Sequence, residues 1–243
     1  MLSGKILSSQ NKQVFPHRAP MRHIFSLLLC VCGLLNIPVA LAEQPVQSVY
    51  LDGTDSKYGL ILCHGRGKYP TYDVVNPLRK AVHTQLGWHT LSLQMPAGDV
   101  DWLDYADDFP KAYQTIQQGI EFLRKQKGVK TVFLMGHSMG ARMSAAFVAD
   151  NKEVDIHGLI VAGIRNNGGW PLDGEASLRK VTIPVLDIYG ADNFNDVNAA
   201  NERGYLVSGI YSQVSIPGGG HRFEGVEAAF TREVIVWLLT HQE

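Results

Sequence analysis

The spacing with the most chemistry in this 243-residue sequence is the pentapeptide Gly136-His137-Ser138-Met139-Gly140. It follows the apolar run Val132-Phe133-Leu134-Met135 and leads into Met139 to Ala149, a stretch rich in small residues. The first reads as a buried strand and the second as a helix that can pack closely on a sheet. A serine in so tight a strand-to-helix turn is held in a strained backbone conformation, and glycines two residues either side avoid the resulting clashes. Its hydroxyl then stands above the sheet, with the helix amino terminus beneath any negative charge that develops nearby. Ser138 is therefore the candidate nucleophile. A chance Gly-Ser-Gly turn would have no reason to sit between these two elements.

A serine hydroxyl needs a base to attack at neutral pH. The candidate is His221, in Gly218-Gly219-Gly220-His221-Arg222-Phe223, after an apolar run that ends at Ile216. From such a loop an imidazole can take the serine proton and return it to the leaving group. His83, His89, His157 and His241 fall within elements or at ends remote from the turn, and His64 and His137 read as flanking residues. Another loop, His64-Gly65-Arg66-Gly67, follows the apolar run Leu60-Ile61-Leu62-Cys63. The backbone N–H of Arg66 can pair with that of Met139 to form an oxyanion hole, an effect of about 3–4 kcal/mol per donor in other enzymes. The glycines of this loop have neither dinucleotide nor phosphate-loop spacing. No His-Glu-x-x-His and no Cys or His cluster stands at ligand spacing, so neither metal nor cofactor is expected.

These residues need a scaffold that brings three loops together. After residue 43, short continuous apolar runs alternate with amphipathic stretches. Strands are expected over Tyr58–Cys63, Thr90–Leu93, Val132–Met135, Leu159–Val161, Val185–Tyr189 and Tyr211–Ile216. Helices are expected from Pro77 to Gly87, from about Asp108 to Gly128, over Met139–Ala149, over Val197–Leu206, and along the stripe Val226, Phe230, Val234, Trp237 and Leu238. Continuous apolar strands separated by helices indicate a mostly parallel sheet covered on both faces. The expected fold class is α/β, in one domain over residues 43–243. In such sheets the site forms at the carboxyl ends of the strands.

With Ser138, His221 and the Arg66 loop in this order, residues 50–241 resemble the α/β-hydrolase superfamily. The segments Pro184-Val185-Leu186-Asp187-Ile188-Tyr189 and Gly219-Gly220-His221-Arg222-Phe223-Glu224-Gly225 are similar to a bacterial branch of it. The resemblance implies a Ser–acid–His order, with the acid just after the strand that ends at Gly190. The family commonly places it three residues past a glycine, and position 193 here is Asn. Asp192 is therefore taken as the acid, ahead of Asp196, while Asp187 lies inside a strand, where a structural role is expected.

Composition restricts the partners. The net charge of −1 gives no electrostatic reason to expect nucleic acid. That sum conceals an asymmetry, because residues 1–42 hold Lys5, Lys12, Arg18 and Arg22 and no acid, leaving 18 basic against 23 acidic residues beyond them. Arg22 and His23 precede an uncharged run from Ile24, and Ala40-Leu41-Ala42 offers a signal-peptidase site. Residues 1–42 are thus expected to be a cleaved signal, with Met21 as the true start. Asn36 and Pro38 argue against a retained anchor, and Cys30 and Cys32 do not sit in a lipoprotein pattern. The expected location is the bacterial periplasm or medium, without stable membrane insertion. Beyond the signal only Cys63 remains, a core thiol by its surroundings.

The expected function is a secreted serine carboxylesterase acting on short or soluble small-molecule esters through an acyl-enzyme. About twenty residues separate the strands near Gly163 and Ile183, too few for a helical lid, so an open cleft is expected, with Arg165 to Pro171 along one wall. Arg66 could draw in an anionic substrate or be a solvated surface residue. A thioesterase, a peptidase, an envelope deacylase and a silent binding protein of the same fold are the alternatives. If the signal is cleaved, amino-terminal sequencing of exported protein will read from Glu43; protein that retains residues 1–42 would refute cleavage.

Overall fold

The computed structural model describes residues 43–243, and the expected signal segment, residues 1–42, lies outside the described residues. Seven strands form one sheet: β1 (Val49–Leu51), β2 (Tyr58–Cys63), β3 (His89–Leu93), β4 (Thr131–His137), β5 (Gly158–Ala162), β6 (Val185–Gly190) and β7 (Tyr211–Ile216). Their order is β1-β3-β2-β4-β5-β6-β7. All neighbours pair in parallel except β1, which runs antiparallel to β3 with Tyr50 opposite Leu91. The sequence reading did not find β1, because three residues at a sheet edge carry no periodic pattern.

Each inner strand alternates between two apolar layers. Ile61 and Cys63 of β2 face a cluster with Leu91, Leu93, Phe109, Ile116 and Phe147, whereas Leu60 and Leu62 face Leu78, Val82, Phe230, Val234 and Leu238. A strand covered on both faces has no polar side, which is why these runs read as continuous. The second layer rests on α1 (Val75–Leu86) and α6 (Glu227–Thr240), the first on α2 (Phe109–Glu121) and α3 (Met139–Asp150). Gly87 ends α1 in the left-handed region, φ 67°, and its N–H reaches His83 O at 2.9 Å. Every residue of α3 from Met139 to Ala149 is buried, and its alanines allow it to lie close to β4. Two short helices complete the fold, α4 (Gly174–Leu178) and α5 (Phe194–Glu202). Among the described residues no helix is long and apolar enough to cross a membrane.

The chain moves from β2 outward to β3, then back across β2 to β4, and onward through β5, β6 and β7. The direction of progress therefore reverses between β2 and β4, and a crevice opens at their carboxyl ends. The Arg66 loop leaves β2 there, and Ser138 leaves β4.

Asp187, in the middle of β6, has the structural role its in-strand position implied. It and Arg203 are both 0% exposed. Arg203 grips it from Nε and Nη2 at 2.8–3.0 Å, and Tyr211 Oη at 2.8 Å and Gln213 Nε2 at 3.0 Å donate to it as well. The same guanidinium donates to Ile164 O and Asn166 Oδ1, which ties the loop after β5 to α5. Breaking a buried pair leaves an uncompensated charge and costs about 3–5 kcal/mol. Asp187→Asn is therefore expected to lower Tm by roughly 6–20 °C for a domain of this size, measured by calorimetry. An unchanged Tm would show that the pair contributes nothing.

Candidate active site

The turn after β4 holds Ser138 at φ 56°, ψ −116°, outside the regions that L-residues ordinarily occupy. Its N–H donates to Ala162 O of β5 at 2.9 Å. A side chain on Gly136 would strike the backbone of Gly140 and Ala141, and one on Gly140 would strike the carbonyls of Cys63 and His64. Both glycines are thus required by close backbone approach. That approach also brings the β2 loop to Ser138, since a Cβ on Gly65 would lie 3.2 Å from Ser138 Cβ.

His221 Nε2 lies 3.0 Å from Ser138 Oγ, and His221 Nδ1 lies 2.6 Å from Asp196 Oδ2. A carboxylate only accepts, so Nδ1 carries the proton and Nε2 presents its lone pair to the serine hydroxyl. The expected pairing of Ser138 with His221 is what the geometry has. The expected acid is not. Asp192 is exposed, in the turn before α5, and its backbone N–H reaches Gly219 O instead. Asp196 is 0% exposed and occupies the place assigned to Asp192.

The correction has a local cause. Asn193 caps α5, its Oδ1 accepting the N–H of Asp196 at 3.0 Å, so the helix begins at Phe194 rather than at the expected Val197. Asp192 then falls outside the helix, while Asp196 sits in its first turn and faces the strand ends. Asn193-Phe194-Asn195-Asp196 has the spacing of a capping box, a polar cap followed three residues later by an acid, and this was the signal in the sequence. Here the acid turns to the imidazole. Arg165 Nε donates to its other oxygen, Oδ1, at 3.0 Å. Gly163, at φ 59°, leaves room for the contact, since a Cβ there would lie 3.0 Å from the His221 ring and 3.3 Å from Asp196 Oδ2.

The histidine loop is held from below. Phe223, itself at φ 55°, is buried and stacks on Phe230 with ring centroids 4.4 Å apart. His137 Nε2 lies 2.9 Å from His221 O and donates to that carbonyl. Burial, reinforced by the neighbouring His221, pushes the His137 imidazole down to about 4, so it is a neutral donor at physiological pH. His64 is likewise pushed down by burial, with Nδ1 donating to Gly65 O and Nε2 accepting the Met95 N–H at 3.0 Å. The two flanking histidines thus brace the loops on either side of Ser138.

Arg66, Trp102, Ser138, Met139, Arg142, Gly163, Arg165, Asn167 and His221 line a cavity of about 340 Å³. Arg66 and Met139, the residues expected to supply oxyanion N–H groups, both border it beside Ser138. As the first residue of α3, Met139 has no intrahelical acceptor for its N–H. Trp102 and Arg142 were not anticipated, although Arg142 stands four residues past Ser138, on the same helix face. The β5–β6 connection holds only α4, and the cleft has no helical lid.

Keeping His137 neutral has a consequence for stability. The unfolded imidazole titrates near 6.5 and the folded one near 4, so between those values the unfolded chain binds more protons. Stability from this group is present above pH 6.5 and declines as pH falls toward 4, by up to about 1.4 kcal/mol per pH unit. Tm is therefore expected to fall between pH 6.5 and 4.5, and His137→Gln, which retains a donor for His221 O, is expected to reduce that fall. An identical pH profile in the variant would exclude His137 as its source.

Residues 101–209 match a family described as a protein of unknown function, DUF3530. No curated protein matches the chain. Among solved structures, Est1E from Butyrivibrio proteoclasticus is similar at 16% identity and a TM-score of 0.64, covering 80% of this chain and 93% of that one. A dienelactone hydrolase from Anabaena variabilis is similar at 17% identity and a TM-score of 0.65, covering 80% and 91%. XC6422 from Xanthomonas campestris, described as an α/β serine hydrolase without lid, is similar at 19% identity and a TM-score of 0.60, covering 81% and 95%. Strand order, the turn at Ser138 and the likeness to these structures agree: this chain has the α/β-hydrolase fold.

Proposed function

We propose that this chain is a serine hydrolase of carboxylic esters, with Ser138 as nucleophile, His221 as general base and acid, and Asp196 as the group that orients and stabilises the imidazole. The observation that carries the reading is the unbroken chain Ser138 Oγ–His221 Nε2 at 3.0 Å and His221 Nδ1–Asp196 Oδ2 at 2.6 Å. The dienelactone hydrolase and XC6422, described as an α/β serine hydrolase, lend support by their descriptions.

In the first half-reaction the Ser138 hydroxyl proton passes to His221 Nε2 as Oγ forms a bond to the ester carbonyl carbon. The carbonyl oxygen takes up the electron pair and the negative charge, for which the N–H groups of Arg66 and Met139 and the amino terminus of α3 are the available donors. Collapse of this intermediate breaks the bond to the alcohol oxygen, which leaves with the proton from His221. Water then repeats the sequence on the acyl-Ser138 ester, giving the free acid and restoring the serine. Asp196 compensates the positive charge that forms on the imidazole, with Arg165 holding its second oxygen.

Short p-nitrophenyl esters test the assignment. Ser138→Ala is expected to reduce kcat/KM to background, since it removes only the attacking oxygen. Asp196→Asn is expected to lower kcat by up to about 10⁴, and Asp192→Asn to leave it within about twofold of the unmodified protein. Full activity in Ser138→Ala would end the esterase reading, and a crippled Asp192→Asn with an active Asp196→Asn would reverse the choice of acid.

A further inference from the structure

Three arginines in this fold, Arg79, Arg142 and Arg203, are buried, and only the last two lie near the strand ends that carry the site. Arg203 has the carboxylate of Asp187 against it, whereas Arg142, 6% exposed, has no carboxylate within 4 Å among the described residues. A buried cation without a counter-charge is costly and is ordinarily paired. Neutral acceptors hold Arg142 in place. Its Nη1 donates to Asn167 O at 2.7 Å and to Leu172 O at 2.8 Å, and its Nη2 donates to Asn167 Oδ1. These bonds use three of the five guanidinium hydrogens and leave Nε–H and one Nη2–H with no protein acceptor among the described residues. Nε, which has no protein partner, is not sealed away from solvent. Burial, then the neighbouring Arg165, push the group down to about 10 against the opposing pull of the more distant Asp173 carboxylate, which still leaves it cationic at neutral pH.

Arg142 lines the same cavity as Ser138, and so do Arg165 and Arg66, while no aspartate or glutamate lines it. Arg165 uses Nε on Asp196, and neither of its Nη atoms has an acceptor among the described residues. Arg66 has one long contact, to Val100 O at 3.4 Å. Trp102 covers the Arg142 guanidinium, with its ring centroid 5.2 Å from Cζ. A charge that is buried, pinned by neutral groups and on the wall of the cavity that Ser138 lines is a pre-organised site for an anion. The adjacent Nε and Nη2 of a guanidinium match the two oxygens of a carboxylate, the same pairing that Arg203 makes with Asp187.

We infer that the substrate is an ester bearing a carboxylate, and that Arg142, assisted by Arg165 and Arg66, receives that carboxylate while Ser138 attacks the ester carbonyl. The inference deepens the esterase reading and rests on it for the reaction, though not for the anion site itself. The charged group positions the scissile bond, and the surrounding guanidinium groups raise the local concentration of anionic substrate. At about 340 Å³ the cavity is at the small end for a ligand site, which favours a short dicarboxylic monoester over a long acyl chain.

The test compares the mono-p-nitrophenyl ester of glutaric acid with its uncharged methyl-capped counterpart at low ionic strength. The unmodified protein is expected to favour the charged ester by at least about tenfold in kcat/KM, with the preference shrinking as salt is added. Arg142→Gln is expected to bring the ratio close to one, and Arg142→Lys to retain part of it. If Arg142→Gln does not fold, Arg66→Gln at the cavity rim is expected to lower the ratio. In parallel, calorimetry on Ser138→Ala is expected to detect glutarate binding that Arg142→Gln in the same background abolishes, with methyl phosphate binding more weakly. A ratio of one or below in protein that hydrolyses the neutral ester overturns the inference and leaves the esterase reading standing. Glutarate binding without hydrolysis of either ester supports the anion site and overturns the esterase reading. Methyl phosphate binding in place of glutarate overturns the assignment to a carboxylate.

Discussion

The backbone of Ser138, at φ 56° and ψ −116°, is the constraint on which the rest of the site depends. A non-glycine residue held there costs about 1–3 kcal/mol and persists only where its surroundings leave no alternative. Here β4 supplies the register, β5 accepts the serine N–H through Ala162, and the glycines at 136 and 140 allow the helix to begin against the end of β2. That conformation sends the hydroxyl toward His221, leaves the Met139 N–H without a helical partner, and puts Arg142 one turn further along the same helix face. The proposed nucleophile, oxyanion donor and anion site thus all follow from one turn and the buried run of α3 from Met139 to Ala149.

The imidazole depends on a second set of constraints, contributed by loops rather than by the sheet. Asp196 fixes Nδ1, His137 fixes the His221 carbonyl, and Phe223 anchors the following residues on Phe230. Gly163 keeps the space between them open. Arg165 and Arg203 both tie into this region, Arg165 through Asp196 and Arg203, at the end of α5, through Asp187 and Asn166. The outer part of the cleft therefore owes its shape to paired charges, and the inner part to close backbone contact.

Much of this was legible in the sequence because the central strands are covered on both faces and the helices are amphipathic, so period and length identified them. The same periodicities put Ser138 between a strand and a helix and His221 after the last strand. What escaped had no such signal. A three-residue edge strand and the five-residue α4 are too short to show a period. Asp192 was favoured over Asp196 by distance along the chain, whereas the decision belonged to Asn193, whose capping of α5 turns one carboxylate out and the other in. The partnership of Asp187 with Arg203 spans sixteen residues and that of Arg142 with Asn167 twenty-five, and a pairing across loops leaves no trace in local spacing. Arg142 in particular reads as an ordinary polar residue on a helix of small ones, and its burial beside Ser138 with no carboxylate within 4 Å among the described residues is visible only in the fold.

The central claim is that Ser138 is an activated nucleophile, and covalent capture tests it most directly. The account predicts that a fluorophosphonate forms one adduct per molecule, located by peptide mass mapping on Ser138. An unreactive Ser138 in folded protein, or an adduct at any other residue, would contradict it.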